Sequence, residues 1–144
     1  MSLVRDVLGN KGGQVWKVEK DSSALDAAKI MHEKHIGSVV VVSGEKIVGI
    51  FTERDLMNRI VAEERDPANT PVGTVMTERV AICTRDTSLE TCRGVMTRNR
   101  LRHLPVVEEG RLVGIISAGD IFARELKDQQ DTIQYLHDYM VGPN

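Results

Sequence analysis

A chain of 144 residues has room for one ordinary domain, or for two half-size units that share a core. Its composition, 41% hydrophobic but only 3% aromatic, is globular, and Trp16, Phe51, Phe122, Tyr135 and Tyr139 are too few and too scattered to stack a run of bases. The formal net charge of -2, with acids and bases interleaved, leaves no polybasic tract, and no apolar run approaches the ~20 residues that span a bilayer, so neither polymeric nucleic acid nor a membrane is an expected partner.

The start, Met1-Ser2-Leu3-Val4-Arg5-Asp6, lacks the charged and apolar regions of a signal peptide. Cys83 and Cys92 make no disulfide framework, so reduced thiols in a cytoplasmic protein are expected. Residues 4–12 suggest a short helix ending at Lys11-Gly12-Gly13. Val15-Trp16-Lys17-Val18 alternates as a strand does, with Trp16 a core residue. Asp21-Ser22-Ser23 is a capping cluster, and Leu25, Ala28, Ile30 and Met31 mark one helical face that Gly37 stops. Ser38 to Val42 reads as a buried strand, Ser43-Gly44-Glu45-Lys46 as a hairpin turn and Ile47 to Phe51 as the partner strand, with a helix from Thr52 to about Glu64.

Asp66-Pro67-Ala68-Asn69-Thr70-Pro71 is a Pro-rich polar connector, and Val72 to Met76 a helical turn. The same order then returns. Val80 to Cys83 is a strand, Asp86-Thr87-Ser88 a cap and Leu89 to Asn99 a helix. Leu104 to Val107 and Leu112 to Ile116 are hairpin strands around Glu108-Glu109-Gly110, and a last helix starts at Ser117. Aligned without gaps at an offset of 65, residues 21–55 and 86–120 share about nine identities. A period this long, occurring twice, is a duplicated βαββα unit and no solenoid. Neither half is expected to fold well alone, since ~60 residues bury a marginal core. The division is a segment 1–14, a repeat 15–65, a linker 66–74, a repeat 75–127 and an extension 128–144.

One stretch is repeated most closely. Gly49-Ile50-Phe51-Thr52-Glu53-Arg54-Asp55 matches Gly114-Ile115-Ile116-Ser117-Ala118-Gly119-Asp120. Strand, sharp entry and helix start would aim unpaired backbone N–H groups at one spot, which suits a phosphate. The hydroxyl of Thr52 or Ser117 would donate to it, and Asp55 or Asp120 would accept from a ribose diol. The same pattern is also a capping box that needs no ligand, and the two roles are compatible.

Two βαββα repeats that each close with Gly, two apolar residues, Ser or Thr, two spacers and Asp resemble a pair of CBS (cystathionine-β-synthase) domains. Supporting matches are Ile36-Gly37-Ser38-Val39-Val40-Val41, Val75-Met76-Thr77, and Met96-Thr97 with Arg102-His103-Leu104-Pro105-Val106-Val107. The resemblance is greatest to bacterial stand-alone CBS-pair proteins. It implies an α/β (α+β) fold of two repeats packed about a pseudo-twofold axis. It also implies a non-enzymatic regulatory module whose clefts bind adenosine derivatives, AMP first, with ADP, ATP, S-adenosylmethionine and NAD as others. Carried over by position, Asp55 and Asp120 are the ribose acceptors, and Thr52 and Ser117 the phosphate-side hydroxyls. Arg54 stands beside the first site, whereas Gly119 stands at its equivalent, so the two sites differ in charge. The backbone at Gly37, Ser38 and Val39, and at Arg102, His103, Leu104 and Pro105, is the edge that reads adenine. Such proteins commonly form a homodimer, a flat disc of four repeats, and regulate a protein partner that these residues do not identify. A structural or interaction module with vestigial clefts is the alternative.

Other constellations are weaker. His32 and His35 are three apart and have no third ligand in view, so no metal site is expected. Arg98, Arg100, Arg102 and His103 form the densest basic patch, either a solvated rim or, at Arg102, a phosphate contact. No base-orienting partner completes a nucleophile with Cys92, and no Gly-Lys phosphate loop is present. From Ile121 the last helix carries Phe122, Leu126, Ile133, Leu136 and Met140 near one stripe, which must bury against its own domain or a second subunit.

Overall fold

The computed structural model describes residues 1–11, 15–78 and 80–141. Helix α1 (Val4–Lys11) leads into strand β1 (Lys17–Glu19), helix α2 (Ala24–Lys34), and the hairpin of β2 (Ser38–Ser43) and β3 (Lys46–Thr52). A single helical turn, α3 (Glu53–Asp55), follows, and two 3-10 turns, Pro67–Asn69 and Val72–Thr74, make the connector. The second unit holds α4 (Leu89–Asn99), the hairpin of β4 (His103–Glu108) and β5 (Arg111–Ser117), and the long helix α5 (Ala118–Val141).

Local chemistry repeats with the sequence. Ser23 and Ser88 cap α2 and α4, each hydroxyl accepting a backbone N–H three residues on. Both hairpins carry a bulge at the same place, between Val41 and Val42 and between Val106 and Val107. β1 lies parallel to β2, and β3 antiparallel, giving a three-stranded sheet, while β4 and β5 form a two-stranded one.

Three sequence expectations are corrected. The strand expected over Val80 to Cys83 shrinks to one parallel bridge, Cys83 to Val106, because only Cys83 exchanges backbone bonds with the hairpin, through Pro105 and Val107. The helix expected from Thr52 to about Glu64 keeps α-geometry for one turn and then widens into a π-helix, Leu56–Val61. Its signature is Ala62 N–H bonding to Met57, five residues back. Finally, α2 ends before Gly37: His35 takes the left-handed conformation at φ 55 and its N–H reaches back to His32 and Met31. Arg100 does the same for α4 at φ 54, so a side chain other than glycine stops both helices.

The segments ahead of the two units exchange places. Val4 N–H bonds to Thr87 and Leu89 N–H to Ser2, so the N-terminal arm docks on the start of α4 in the second unit. In the same way Val72 N–H bonds to Ser22 and Ala24 N–H to Thr70, so the connector docks on the start of α2 in the first. The cores follow. Val4, Val7 and Leu8 are buried with Cys83, Cys92, Met96, Leu104, Val106, Ile116 and Ile121. Val72, Val75 and Met76 are buried with Val18, Ala27, Met31, Val39, Val41, Phe51 and Ile60. Each unit is therefore completed by chain that precedes the other. Trp16 is half-buried against the first core, with the Lys34 ammonium 4.6 Å from its ring centroid.

Candidate functional site

The repeated stretch is held where β3 and β5 turn into helix. Thr52 is extended at φ -119, its hydroxyl accepts Asp55 N–H at 3.2 Å, and the Asp55 carboxylate accepts Thr52 N–H at 3.1 Å. Ser117 and Asp120 repeat the arrangement at 3.0 and 2.9 Å. Both capping boxes are thus complete. Each hydroxyl accepts a bond and keeps its own proton to donate, so capping leaves it able to meet a phosphate.

The surroundings of the two carboxylates differ. Asp55 is only 6% exposed, accepts the Thr77 hydroxyl at 3.0 and 3.1 Å, and has the Arg59 guanidinium 3.8 Å away. Arg59 also donates to the carbonyls of Val75 and Met76. Asp120 is half-buried, and Arg124, at the position equivalent to Arg59, pairs with Asp128 at 3.1 Å instead. Thr77 reaches Asp55 because the connector crosses β3, where Thr77 and Ile50 exchange both backbone bonds.

That crossing explains the glycine in each copy. A Cβ on Gly49 would meet the Met76 sulfur at 2.5 Å and the Thr77 carbonyl oxygen at 2.8 Å. A Cβ on Gly114 would meet a Leu8 methyl at 2.6 Å. Both are closer than van der Waals contact allows, so each glycine admits the exchanged segment.

Between the units lies a cleft of about 710 Å³, within the range of small-molecule sites. Of the residues expected to bind ligand, Gly37, Thr52, Arg54, Asp55, Arg102, His103 and Ser117 line it. Asp120 stands behind Ser117, through the cap, and is not on its wall. Ser38, Val39, Leu104 and Pro105 are buried in β2 and β4, paired with Thr52, Phe51, Ile116 and Ile115. The walls are tied together at matching points: Glu53 N–H donates to the Gly37 carbonyl, and Ala118 N–H to that of Arg102. A Cβ on Gly37 would lie 3.6 Å from His103 Cε1, and both residues line the cleft, so the two units come together there.

Sequence reasoning missed Thr77, Glu53, Met57, Asn99 and Leu101 in this cleft. Thr77 had a signal, since it follows Val75-Met76 in a stretch already singled out, but its contact with Asp55 depends on the crossing. Away from the cleft, Cys83 and Cys92 are free and buried, and the hydrogen bond to Cys92 together with burial pushes the Cys83 thiol pKa up. Among the described residues no group of three or more His, Cys, Asp or Glu could hold a metal, and no helix is long and apolar enough to cross a membrane.

Comparison with known proteins bears on the family and the fold. A model of the CBS domain matches residues 4–62 and 72–127. The CBS domain-containing protein CBSX3, mitochondrial, of Arabidopsis thaliana is 32% identical over 150 aligned positions, covering 98% of this chain and 73% of that protein. Among solved structures, a CBS-domain protein from Burkholderia ambifaria superposes with a TM-score of 0.84 at 38% identity, over 89% of this chain and 96% of that one. The CBS domain pair of protein MJ0100, solved with 5-methylthioadenosine and S-adenosyl-L-methionine, gives 0.75 at 26% identity, over 85% and 98%.

Proposed function

The chain belongs to the CBS-domain family and carries two such domains in tandem, and from that premise we propose that it is a sensor of an adenosine-containing nucleotide. The observation that carries this reading is the shared cleft, where the Thr52 and Ser117 hydroxyls, the buried Asp55 carboxylate and three arginines surround a volume of nucleotide size. In it the hydroxyls face phosphate and Asp55 accepts from ribose, with Asp120 as the equivalent acceptor beneath Ser117. The backbone of Gly37 and of Arg102-His103 lies at the adenine edge. A structural neighbour that holds adenosine derivatives supports the ligand class. AMP, ADP, ATP and NAD all present these groups.

The functional units are the two repeats, 15–65 and 75–127, each needing the lead segment of the other, with 128–144 as an extension. Occupancy changes how the repeats pack, and a partner protein reads that change. The protein acts without turnover, in a reducing cytoplasm where Cys83 and Cys92 remain thiols. Incubation with ATP, AMP or NAD is expected to leave each intact by chromatography; product formed in proportion to protein and abolished by Asp55→Ala would overturn this.

We also propose a homodimer. Phe122, Ile133 and Met140 on α5 are 70%, 67% and 80% exposed. Met57 and Val61, at the positions equivalent to Phe122 and Leu126, are exposed as well, so both repeats present the same apolar pair and a second copy can cover both.

The ligand is tested by melting. A ligand at 100 times its Kd stabilises one site by about 2.7 kcal/mol, a rise of several degrees in a protein of this size. AMP is expected to raise Tm and GMP much less, because guanine inverts the donor and acceptor that a strand edge reads. Asp55→Ala is expected to remove most of the AMP response and Asp120→Ala part of it. Melting without ligand separates loss of a cap, which lowers the baseline alone. An unchanged AMP response in the double variant would show that both carboxylates are caps only.

A further inference from the structure

Away from the nucleotide cleft, we infer that Cys83 and Cys92 are a redox-sensitive pair of thiols, which a hydroperoxide converts into an internal disulfide beneath the N-terminal arm. They are the only cysteines of the chain, and both are buried in the core of the second unit. The fold brings them together because Cys83 bridges to Val106 in β4 while α4, which carries Cys92, packs against the same strand. There the Cys83 thiol hydrogen-bonds to Cys92, and its sulfur lies 3.7 Å from the Pro105 carbonyl oxygen.

Packing does not call for sulfur at these positions. Their equivalents in the first repeat are Val18 and Ala27, and both are buried in that unit's core. The duplicated core thus fills the same two places with hydrocarbon, whereas the second unit sets two oxidisable atoms against each other. The thiols are also unequal. Cys92 lies in the first turn of α4, just after the Ser88 cap, where the helix dipole favours a thiolate. The bond from Cys83 acts in the same direction and holds the Cys92 thiol below its ordinary pKa, whereas that of Cys83 is pushed up. Cys92 is therefore the nucleophile and Cys83 the resolving thiol.

The Cys92 thiolate attacks one oxygen of hydrogen peroxide and the O–O bond breaks. The departing hydroxide takes up the proton that Cys92 gave up and leaves as water, and Cys92 becomes a sulfenic acid. The Cys83 sulfur then attacks the Cys92 sulfur. An S–S bond forms as the S–O bond breaks, and the Cys83 proton leaves with that oxygen as a second water. Two thiols have lost two electrons and the peroxide has gained them. The bond is coupled to the arm by its place. Residues 84–91, between the cysteines, are the ones on which the arm docks: the Thr87 and Arg85 carbonyls accept from Val4 and Arg5, and Leu89 N–H donates to Ser2. Val4, Val7 and Leu8 are buried in the same core as the thiols. Release of the arm therefore lets peroxide reach the pair, and the disulfide closes the loop that receives the arm, fixing the dock. In a reducing cytoplasm the pair rests as two thiols.

Hydrogen peroxide treatment of the reductant-free full chain, followed by alkylation in denaturant and peptide mass spectrometry, tests this. A peptide joining Cys83 to Cys92 of one chain is expected, and dithiothreitol is expected to reverse it. In Cys83→Ala, which lacks the resolving thiol, dimedone is expected to trap a sulfenic acid on Cys92; no adduct would overturn the order of attack. The wild-type map decides the pairing even if that variant folds poorly. Val4→Ala, which loosens the arm at a fully buried contact, is expected to speed disulfide formation several-fold. The oxidised wild type is expected to melt several degrees above the reduced protein. Thiols still alkylated in full when exposed Met57 and Met140 are oxidised, or disulfides that join two chains, would overturn the redox pair. An unchanged rate in Val4→Ala, or a lower Tm on oxidation, would overturn its coupling to the arm.

Discussion

At the scale of single residues, Gly49 and Gly114 do the same job against different obstacles. The missing Cβ at Gly49 faces a backbone carbonyl, which cannot swing aside, whereas the one at Gly114 faces the tip of a leucine. Gly49→Ala is therefore expected to cost about 2–3 kcal/mol and Gly114→Ala about 1 kcal/mol, read by urea denaturation. Leu8→Ala on its own costs about 2–4 kcal/mol through its cavity. Added to Leu8→Ala, Gly114→Ala is expected to cost almost nothing more, because its obstacle is gone. Met76→Ala is not expected to rescue Gly49→Ala, since the Thr77 oxygen remains. Equal rescue in both pairs would refute the distinction. Asp55 belongs at this scale too: its burial alone would be costly, and the Thr77 hydroxyl and Thr52 N–H are what make a carboxylate tolerable there.

At the scale of elements, the two hairpins show how far a duplicated sequence fixes geometry. Both keep the bulge and both use two-residue turns, but the second places Glu109 at φ 51 ahead of Gly110 at φ 76. Two successive positive φ values define the tight hairpin turn that favours Asn-Gly. Glu109→Asn is expected to stabilise by about 0.5–1 kcal/mol, since asparagine tolerates the left-handed region better. A lowered Tm would show that Glu109 has a role the turn geometry does not reveal. The widened helix Leu56–Val61 is the counter-example. Its counterpart in the second repeat is the regular first half of α5, so equivalent positions do not fold alike. The π-helix coincides with Arg59 reaching the connector carbonyls, a contact that Arg124 replaces with Asp128.

At the scale of the whole molecule, exchange of the lead segments makes the two repeats one cooperative unit. Removing either arm strips three buried side chains from the core of the other repeat. The exposed stripe on α5 is the surface left over. Light scattering of the full chain at micromolar concentration is expected to give a dimer, and deletion of residues 128–144 to shift it toward monomer. A monomeric full chain would remove the dimer from the proposed function. The cleft also belongs to this scale, because its lining is drawn from both repeats, Gly37 and Arg54 from the first and Arg102 and His103 from the second.

The amino-acid sequence by itself determined the period, the order of most elements, the two capping boxes and the family, since each is written in residues close together along the chain. Ser or Thr three residues before Asp caps a helix wherever it lies, and alternating β-branched residues make hairpins in either copy. Tertiary structure alone decided which repeat each lead segment completes, why Gly49 and Gly114 are glycine, and why the Thr77 hydroxyl reaches Asp55. It also decided that Val80 to Cys83 contributes only one bridge, and that Arg54, from the first repeat, lines the same cleft as Arg102, from the second. These depend on contacts between residues far apart in sequence. Local propensity cannot specify such contacts; shape and burial in the assembled core do.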